Sequence, residues 1–320
     1  MLEQNKIRVH LSASSLPLAK FILYIKLTRP GHWSKNIFIL PGFLIAYIAT
    51  TNHSNIIMQN FLIGCISICL ITSANYVINE WLDREFDKYH PTKKMRPSVG
   101  ANLDSRVIFI EYNMFACCGL GLAWLISLSY FIVSLTLLIM GMIYNIKPAR
   151  TKDVPYFDVI SESVNNPIRL ILGWLMVTDA IFPPTSLLLC YWMGGAFLMS
   201  VKRFAELRFI NDQEIAGKYR KSFQFYTPET LQVSALFYAV TAAFFGGVFL
   251  AKYKVELIYA FPFYAILFAW YYKIGLKLNS VAQHPEKIYQ EKYFSMYVIL
   301  VAALTVALFF IRIPLESILN

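Results

Sequence analysis

The fold is decided by one stretch, residues 56–79, which reads IIMQNFLIGCISICLITSANYVIN. These 24 residues include no Asp, Glu, Lys or Arg. A helix needs about 20 mainly apolar residues to cross a hydrocarbon core of roughly 30 Å. The stretch is therefore predicted to be a transmembrane helix.

The composition of the rest of the chain agrees with this prediction. Hydrophobic residues make up 57% of the 320, charged residues 15%, and the mean hydropathy is +0.51, whereas a soluble domain carries about 25% charged residues. The net charge of +10 fits basic loops that face anionic lipid, so no nucleic-acid partner is predicted. The five cysteines fall in or against apolar runs and are interpreted as packing residues.

The same length criterion predicts an all-α, multi-pass membrane bundle of about nine transmembrane helices. The predicted spans are residues 36–50, 56–79, 107–126, 129–146, 158–177, 184–201, 231–250, 255–272 and 294–313. Pro41 and the pair Asn166-Pro167 predict kinks in the first and fifth spans. No linker or repeat divides the chain, so residues 1–320 are predicted to form a single transmembrane domain. Its residues 1–30 would be a cytoplasmic arm ending in an interfacial helix over residues 16–27.

The distribution of positive charge predicts the orientation. With the N-terminus in the cytoplasm, 25 of the 29 Lys and Arg lie in cytoplasmic segments, three lie outside, and Arg169 lies within a span. This is the positive-inside pattern. The N-terminal residues show no signal-peptide pattern. We therefore expect a multi-pass protein of the cell (inner) membrane with a cytoplasmic N-terminus.

An acidic segment follows the second predicted span, where residues 79–97 read NEWLDREFDKYHPTKKMRP. If the helix continues past the membrane, Asn79, Asp83 and Asp87 share one face at i, i+4 and i+8. Hard oxygen ligands without Cys or His favour Mg²⁺, which completes its coordination with water and substrate phosphates. The predicted metal-binding residues are Asn79, Asp83, Asp87 and, as an outer acceptor, Glu80.

A simpler interpretation of this segment is a solvated helix end whose carboxylates pair with Arg84 and Lys88. The basic residues that follow, among them Lys93 and Arg96, favour the metal-site interpretation, because cations beside a metal-binding face suit a diphosphate.

The segment resembles the first aspartate-rich motif of the UbiA superfamily of intramembrane prenyltransferases, usually written NDxxDxxxD. The resemblance extends to the nine spans, the cytoplasmic N-terminus and the LTRPGHWSKN segment at residues 27–36. One departure is Glu80, where the family usually has Asp. The resemblance implies a Mg²⁺ cofactor, a cytoplasmic-facing active-site cavity, an isoprenoid lipid substrate and a diphosphate-bearing donor within the membrane. It gives no oligomeric state.

Two later segments add candidate residues. The loop after the fourth span resembles the tyrosine- and lysine-containing loop of the family, and its basic residues either contact phosphate or belong to the ordinary cytoplasmic charge: Lys147, Arg150 and Lys152. The fifth span carries a polar stripe that either lines a cavity or forms a buried ion pair: Asp158, Glu162, Asn165 and Arg169.

The loop after the sixth span indicates the substrate. Prenyltransferases of the superfamily carry a second aspartate-rich motif there, but this chain has KRFAEL at residues 202–207. That string, with HPTKKMRP and the later YTPE, resembles the polyprenyl-phosphate (decaprenyl-phosphate) phosphoribosyltransferase branch. The predicted activity is transfer of phosphoribose from phosphoribosyl pyrophosphate to a polyprenyl phosphate. Several convergent cations suit the three anionic groups of such a donor and acceptor better than one prenyl diphosphate.

The predicted roles follow from this interpretation. Asp83 and Asp87 hold the catalytic metal, and Asp158 or Glu162 contacts ribose hydroxyls or stabilises the cationic ring. The predicted substrate- and phosphate-binding residues are Lys93, Arg96, Lys147, Arg150, Lys152, Arg169, Lys202, Arg203 and Glu206. Two other activities are open: prenyl transfer to an aromatic or tetrapyrrole acceptor, since the motif also resembles that of chlorophyll synthases, and transport. Transport predicts an inverted repeat, which the sequence does not show.

Overall fold

The computed structural model describes residues 16–50, 54–101 and 103–311, which form helices and no β-strand. The α-helices are α1 (Leu16–Leu27), α2 (Leu40–Ala49), α3 (Asn55–Asp87), α4 (Pro97–Gly100), α5 (Ser105–Trp124), α6 (Leu128–Asn145), α7 (Phe157–Ser163), α8 (Asn165–Leu175), α9 (Thr185–Ile210), α10 (Gln213–Tyr219), α11 (Pro228–Tyr253), α12 (Phe261–Gly275) and α13 (Lys292–Phe310). The predicted all-α class is confirmed. Most of the predicted cytoplasmic arm (residues 1–15) and the end of the last predicted span (residues 312–313) lie outside the described residues.

Helix α3 is longer than a membrane crossing requires. Its 33 residues span about 50 Å at a rise of 1.5 Å per residue, against a hydrocarbon core of roughly 30 Å. The apolar stretch that opens the helix occupies the core, so its last turns extend beyond it. Those turns carry Asn79, Asp83 and Asp87, and they place the acidic motif at one end of the bundle.

Six helical stretches of the described chain are long and apolar enough to cross a membrane. They are Asn55–Asp87, Ser105–Trp124, Leu128–Asn145, Pro228–Tyr253, Val255–Gly275 and Lys292–Phe310. Large apolar side chains such as Val233, Phe237 and Phe244 stand more than half exposed on α11, as expected for a surface that faces lipid. The predicted spans at 36–50, 158–177 and 184–201 do not meet the length and hydropathy requirement and stay predictions.

Both predicted kinks coincide with changes in helix geometry. A 3₁₀ helix, Pro30–Ile39, precedes α2, and Pro41 stands in the first turn of α2. The fifth predicted span is divided at Val164 into α7 and α8, three residues before Pro167. Proline lacks the backbone N–H that an uninterrupted helix requires. The division lies between Glu162 and Asn165, so the polar stripe is shared between α7 and α8.

Helices α2 and α8 approach each other closely because glycines face the contact. A Cβ atom added to Gly42 would lie 2.0 Å from the carbonyl oxygen of Leu170, and one added to Gly173 would lie 2.1 Å from that of Ile39. Real Cβ atoms do not approach backbone oxygens so closely, so both positions require glycine. The contact fixes α8, and with it Arg169, against the segment that carries Asn36.

A late segment returns to the same end of the bundle. The 3₁₀ helix Pro285–Gln290 contacts Pro30–Ile39, where Glu286 lies 3.1 Å from Lys35 and 3.5 Å from His32. Partial burial alone would raise the pKa of the Glu286 carboxyl, but a hydrogen bond from His284 and the charge of Lys35 hold it well below its usual range. This ion pair closes the side of the bundle next to the acidic motif.

Candidate active site

The acidic face of α3 meets a lysine from the loop after α6. The Lys152 ammonium lies 2.5 Å from Asp83 Oδ1, 3.1 Å from Asn79 Oδ1 and 2.7 Å from Asn145 Oδ1. Burial lowers the pKa of Lys152 to about 8, although the Asp83 carboxylate raises it. Two of the predicted metal-binding residues therefore converge on one cation.

The other two predicted metal-binding residues converge on a different cation. Arg96 Nη1 lies 2.6 Å from Asp87 Oδ2 and 3.3 Å from Glu80 Oε2, and Glu80 also forms an ion pair with Arg29. The acidic face is thus divided between Lys152 and Arg96. Among the described residues, no three His, Cys, Asp or Glu side chains lie close enough together to hold a metal ion.

The simpler interpretation of the acidic segment is wrong for these carboxylates. Arg84 and Lys88 both pair with Glu85 on the exposed face of α3. Asp83 and Asp87 point the other way and pair with cations from distant segments. Asp87 retains only 2% of its full solvent exposure. A carboxylate at a merely solvated helix end would remain exposed.

Arg203 on α9 joins the remaining predicted carboxylates. It is fully buried, with Nε 3.0 Å from Asp158 Oδ2, Nη1 3.2 Å from Glu206 Oε2, and Nη2 in an ion pair with Glu162. Asp158 also accepts from the hydroxyl of Tyr226 at 2.6 Å. A guanidinium presents five donors in a rigid fork, which suits three carboxylates at once.

The two predicted lysines beside Arg203 pair with the same carboxylates. Lys93 lies 2.6 Å from Glu206 Oε1 and donates to the Tyr219 hydroxyl, and Lys202 lies 3.4 Å from Glu162 Oε1. Burial alone would lower the pKa of Lys93, but Glu206 and Tyr219 raise it above its ordinary value. Glu206 is fully buried, so it lies as a counter-ion between Lys93 and Arg203.

The remaining predicted phosphate-binding residues are Arg150, Lys147 and Arg169. Arg150 bridges Asp83 and Asp153 at 3.2 and 3.0 Å. Lys147 is exposed and forms no hydrogen bond or ion pair with the part of the chain that the structure describes. Arg169 lies apart from the cluster, on α8, where it donates to Asn36 Oδ1 at 3.2 Å. Lys147 and Arg169 are thus the two predicted phosphate-binding residues that the structure leaves outside the ion-pair cluster.

Sequence reasoning missed several members of the cluster. Arg220 lies 3.2 Å from the Tyr144 hydroxyl and 3.8 Å from Asp158, while Asn145 and Tyr219 contact Lys152 and Lys93. Arg220 stands among six basic residues of one loop, and no spacing distinguished it. Asn145 and Tyr219 come from helix ends whose direction the sequence alone did not give.

Backbone strain is concentrated at this site. Arg29, Arg150 and Tyr156 have φ angles of 48°, 29° and 63°, in the left-handed region. Each such residue costs of the order of 1 kcal/mol or more and persists when its surroundings hold it. Here Arg29 and Arg150 are held by Glu80 and Asp83, and the amide of Tyr156 donates to the hydroxyl of Tyr226.

The donor set fits a magnesium ion in its chemistry. Three hard oxygens, from Asn79, Asp83 and Asn145, lie within 3.1 Å of the Lys152 ammonium, so the fold already gathers them around one positive charge. Carboxylate and amide oxygens are ligands that Mg²⁺ prefers. A metal ion at this point would take the place of the ammonium.

Two grooves lie elsewhere on the bundle. One of about 490 Å³ is lined by Tyr156 and the first turns of α11, and one of about 290 Å³ by residues of α12. Neither is lined by the paired carboxylates of α3 or α7. The cytoplasmic-facing cavity therefore stays a prediction.

Apolar helices long enough to cross a membrane, with a charged cluster at one end of their bundle, define an integral membrane protein. The UbiA prenyltransferase family matches residues 37–299. The chain therefore belongs to the UbiA prenyltransferase family, which confirms the family resemblance of its acidic motif.

Two named relatives and one solved structure are also similar to this chain. The chain is 25% identical over 209 residues to the decaprenyl-phosphate phosphoribosyltransferase of Mycolicibacterium smegmatis, which covers 65% of this chain and 64% of that one. It is 29% identical over 213 residues to that of Corynebacterium glutamicum, at 65% and 61%. Each match thus spans a little under two thirds of the relative. The structure of a UbiA homolog from Archaeoglobus fulgidus bound to GPP and Mg²⁺ has a TM-score of 0.67 at 22% identity, over 90% of this chain and 98% of that one.

Proposed function

We propose that this protein transfers phosphoribose from phosphoribosyl pyrophosphate to a polyprenyl phosphate in the membrane, with Mg²⁺ as cofactor. The observation that carries the proposal is the Lys202-Arg203 pair at the end of α9. These cations stand where other members of the superfamily are expected to have a second aspartate-rich motif. Arg203 is fully buried among Asp158, Glu162 and Glu206, so this end of α9 is built around positive charge.

The balance of charge supports a donor and an acceptor with several phosphates. Lys93, Arg96, Lys152 and Lys202 each contact a carboxylate that an incoming phosphate would compete with. A phosphate oxygen that binds Lys152 or Arg96 would release the oxygens of Asn79, Asp83 and Asp87. The relatives named decaprenyl-phosphate phosphoribosyltransferase support the same assignment.

The released oxygens would hold the metal ion. Asn79 and Asp83 would bind it directly, with Asp87 and Glu80 beside them, and bound Mg²⁺ would neutralise the diphosphate leaving group. The bond between the ribose C1 and the diphosphate oxygen breaks, pyrophosphate leaves, and an oxygen of the lipid phosphate bonds to C1. The lipid phosphate is already anionic near neutral pH, so the chain needs no strong general base.

Glu162 is the better candidate for contact with the sugar. Its side chain is 27% exposed, whereas Asp158 is fully buried. Asp158 also accepts hydrogen bonds from Tyr226, Ser222 and Arg203. Its role in the proposed mechanism is therefore to hold these side chains in position. Glu162 could turn from Lys202 towards a ribose hydroxyl or the developing positive charge of the ring.

Prenyl transfer to an aromatic or tetrapyrrole acceptor is the second candidate function. The acidic motif on α3 favours it, because the UbiA homolog of similar fold was solved with GPP and Mg²⁺. That function would require one diphosphate site and an acceptor without a phosphate. The cations around Glu162 and Glu206 would then be only structural.

The test supplies purified protein in lipid nanodiscs with either labelled phosphoribosyl pyrophosphate and polyprenyl phosphate or labelled prenyl diphosphate and an aromatic acceptor. We expect label in the lipid fraction only from the first pair, only with Mg²⁺, and with release of pyrophosphate. Transfer of the prenyl label alone would replace the proposal by the second function. Addition of EDTA followed by excess Mg²⁺ serves as the control for metal dependence.

A further inference from the structure

Arg169 differs from the other buried cations of the chain. Five Lys and Arg side chains are buried among the described residues: Lys93, Arg150, Lys152, Arg169 and Arg203. Four of them lie within 4 Å of a carboxylate. Among the described residues, Arg169 hydrogen-bonds only to neutral groups, Asn36 Oδ1 at 3.2 Å and the carbonyl oxygen of Asn165 at 3.4 Å, and it forms no ion pair.

A buried guanidinium without a counter-charge is costly within a membrane protein, and such groups usually face a cavity or an anionic ligand. Here the surroundings also offer unused polar atoms. The side-chain oxygen of Asn165 is buried without a hydrogen-bond partner in the described structure, and Arg169 Nη2 makes no hydrogen bond to the described residues. The guanidinium therefore keeps donors that the described residues do not use.

The position of Arg169 relative to the acidic motif is fixed by Asn36. The Asn36 amide also contacts Thr72 Oγ1 at 3.4 Å, so the guanidinium lies at the level of Thr72 on α3. Asn79 is seven residues further along this helix, about 10 Å away at 1.5 Å per residue. The Arg169 guanidinium therefore lies deeper in the bundle than the oxygens that surround Lys152.

The side chain also points towards the cluster. Side chains on a helix tilt towards its N-terminus, and the N-terminus of α8 follows α7, which carries Glu162. An anion on Arg169 would thus lie on the membrane side of the acidic motif, facing it. That depth suits a headgroup that is anchored by an apolar chain better than a water-soluble sugar phosphate.

We propose that Arg169, held in place by Asn36, forms the binding subsite for the phosphate monoester of the lipid acceptor, an inference that rests on the proposed function. Arginine binds two oxygens of a phosphate through parallel hydrogen bonds. The bound phosphate supplies the missing counter-charge of Arg169. It also presents its remaining oxygen towards the ribose C1 of the donor at the acidic motif.

Two variants test the subsite while keeping a polar side chain at each position. Arg169→Gln keeps a donor for Asn36 and removes the charge, while Asn36→Asp keeps the guanidinium and gives it an internal carboxylate. Arg208→Gln is the matched control, because Arg208 likewise forms no ion pair with the described residues but lies nearer the surface, where it donates to the carbonyl oxygen of Leu276 and contacts the ring of Phe204. Binding of a labelled isoprenyl monophosphate and of the corresponding isoprenyl alcohol is measured in nanodiscs without donor.

We expect both test variants to bind the monophosphate about 10- to 100-fold more weakly, the range for loss of a charge-assisted contact. Binding of the alcohol should stay as in the wild type. The thermal unfolding midpoint should not fall, because Arg169→Gln removes the unpaired buried charge and Asn36→Asp pairs it. Arg208→Gln should change neither property. In turnover, KM for the lipid phosphate should rise while KM for phosphoribosyl pyrophosphate changes by less than about threefold.

Monophosphate binding that is unchanged in Arg169→Gln would overturn the subsite, and so would a rise in KM for phosphoribosyl pyrophosphate alone. Failure of the proposed function looks different. In that case the wild type would bind the monophosphate through Arg169 but transfer no phosphoribose to it, and the subsite would stand.

Discussion

Asp83 accepts hydrogen bonds from Lys152 and Arg150, which lie 69 and 67 residues further along the chain. We expect Asp83→Asn to reduce Mg²⁺-dependent transfer by at least about 100-fold, because the charge that would hold the metal is lost. The amide has the same shape and still accepts from Lys152, so the protein should stay folded. The measurement is label transfer over a Mg²⁺ titration.

The control for this substitution is Glu85→Gln on the same helix. Glu85 is exposed and pairs with Arg84 and Lys88, so its loss should leave transfer unchanged. An Asp83→Asn variant with wild-type activity would show that the α3 oxygens do not hold the metal ion.

The identity of the acidic residues could be predicted from the sequence, but their partners could not. The i, i+4 spacing places Asp83 and Asp87 on the same side of α3 whatever the rest of the chain does. Which cation each one meets depends on how Lys152 and Arg96 return to the helix, and that is a matter of tertiary packing. For this reason the predicted single metal face is divided into two ion-paired halves.

His90 carries a prediction about pH. It is fully buried, and its Nδ1 accepts from the amides of Thr92 and Lys93, both at 3.2 Å. Burial and Lys93 lower the pKa of His90 to about 3. The unfolded chain, with a histidine pKa near 6.5, binds more protons between these values, so stability is lost as pH falls from about 6.5.

The expected loss is about 2 kcal/mol of unfolding free energy by pH 5. His90→Asn should flatten this dependence, because the amide oxygen accepts from the same backbone N–H groups without binding a proton. His32 has its pKa lowered to about 3 in the same way, so part of the slope should remain. Unfolding measured in detergent between pH 5 and 7.5 provides the comparison, and identical slopes for the two proteins would refute the assignment.

At the scale of elements, the contact between α2 and α8 determines where Arg169 lies. We expect Gly173→Ala to destabilise the protein by about 2 kcal/mol or more, because the added methyl group would overlap the carbonyl oxygen of Ile39. Thermal unfolding in detergent measures the effect. Gly121→Ala is the matched control, since a Cβ there meets nothing within 4 Å and should stabilise α5 slightly. Equal unfolding midpoints for the two variants would contradict the close contact.

Helix boundaries were predictable where proline or a change of polarity marks them. Pro41 and Pro167 predicted the irregular first and fifth spans, and α1 covers the predicted residues 16–27. Pro30 and Pro285 likewise stand at the start of the two 3₁₀ helices, but they do not indicate that these segments meet at Lys35 and Glu286. Both depend on contacts between segments that are distant in sequence, and these contacts close the site.

At the scale of the whole molecule, the predicted cytoplasmic loops meet at one end of the bundle. The ion pairs Asp83–Arg150, Lys93–Glu206 and Lys35–Glu286 join five predicted segments, the N-terminal arm and four loops. Segments on one side of a membrane are separated by an even number of crossings. The ion pair Asp83–Arg150 therefore agrees with a topology in which α5 and α6 each cross the membrane. The ion pair Lys93–Glu206 agrees with two further crossings, by residues 158–177 and 184–201.

The side on which this end lies is a prediction from charge, and it can be tested directly. Lys147 is exposed beside the cluster, and Ile181 is exposed in the opposite loop between α8 and α9. In a chain whose five cysteines are replaced by serine, Lys147→Cys and Ile181→Cys each offer one thiol. We expect a membrane-impermeant maleimide to label position 181 from outside intact cells and position 147 only in inside-out vesicles, because basic loops stay in the cytoplasm. Labelling of position 147 from outside would place the cluster on the outer face, where a cytosolic sugar phosphate donor could not reach it.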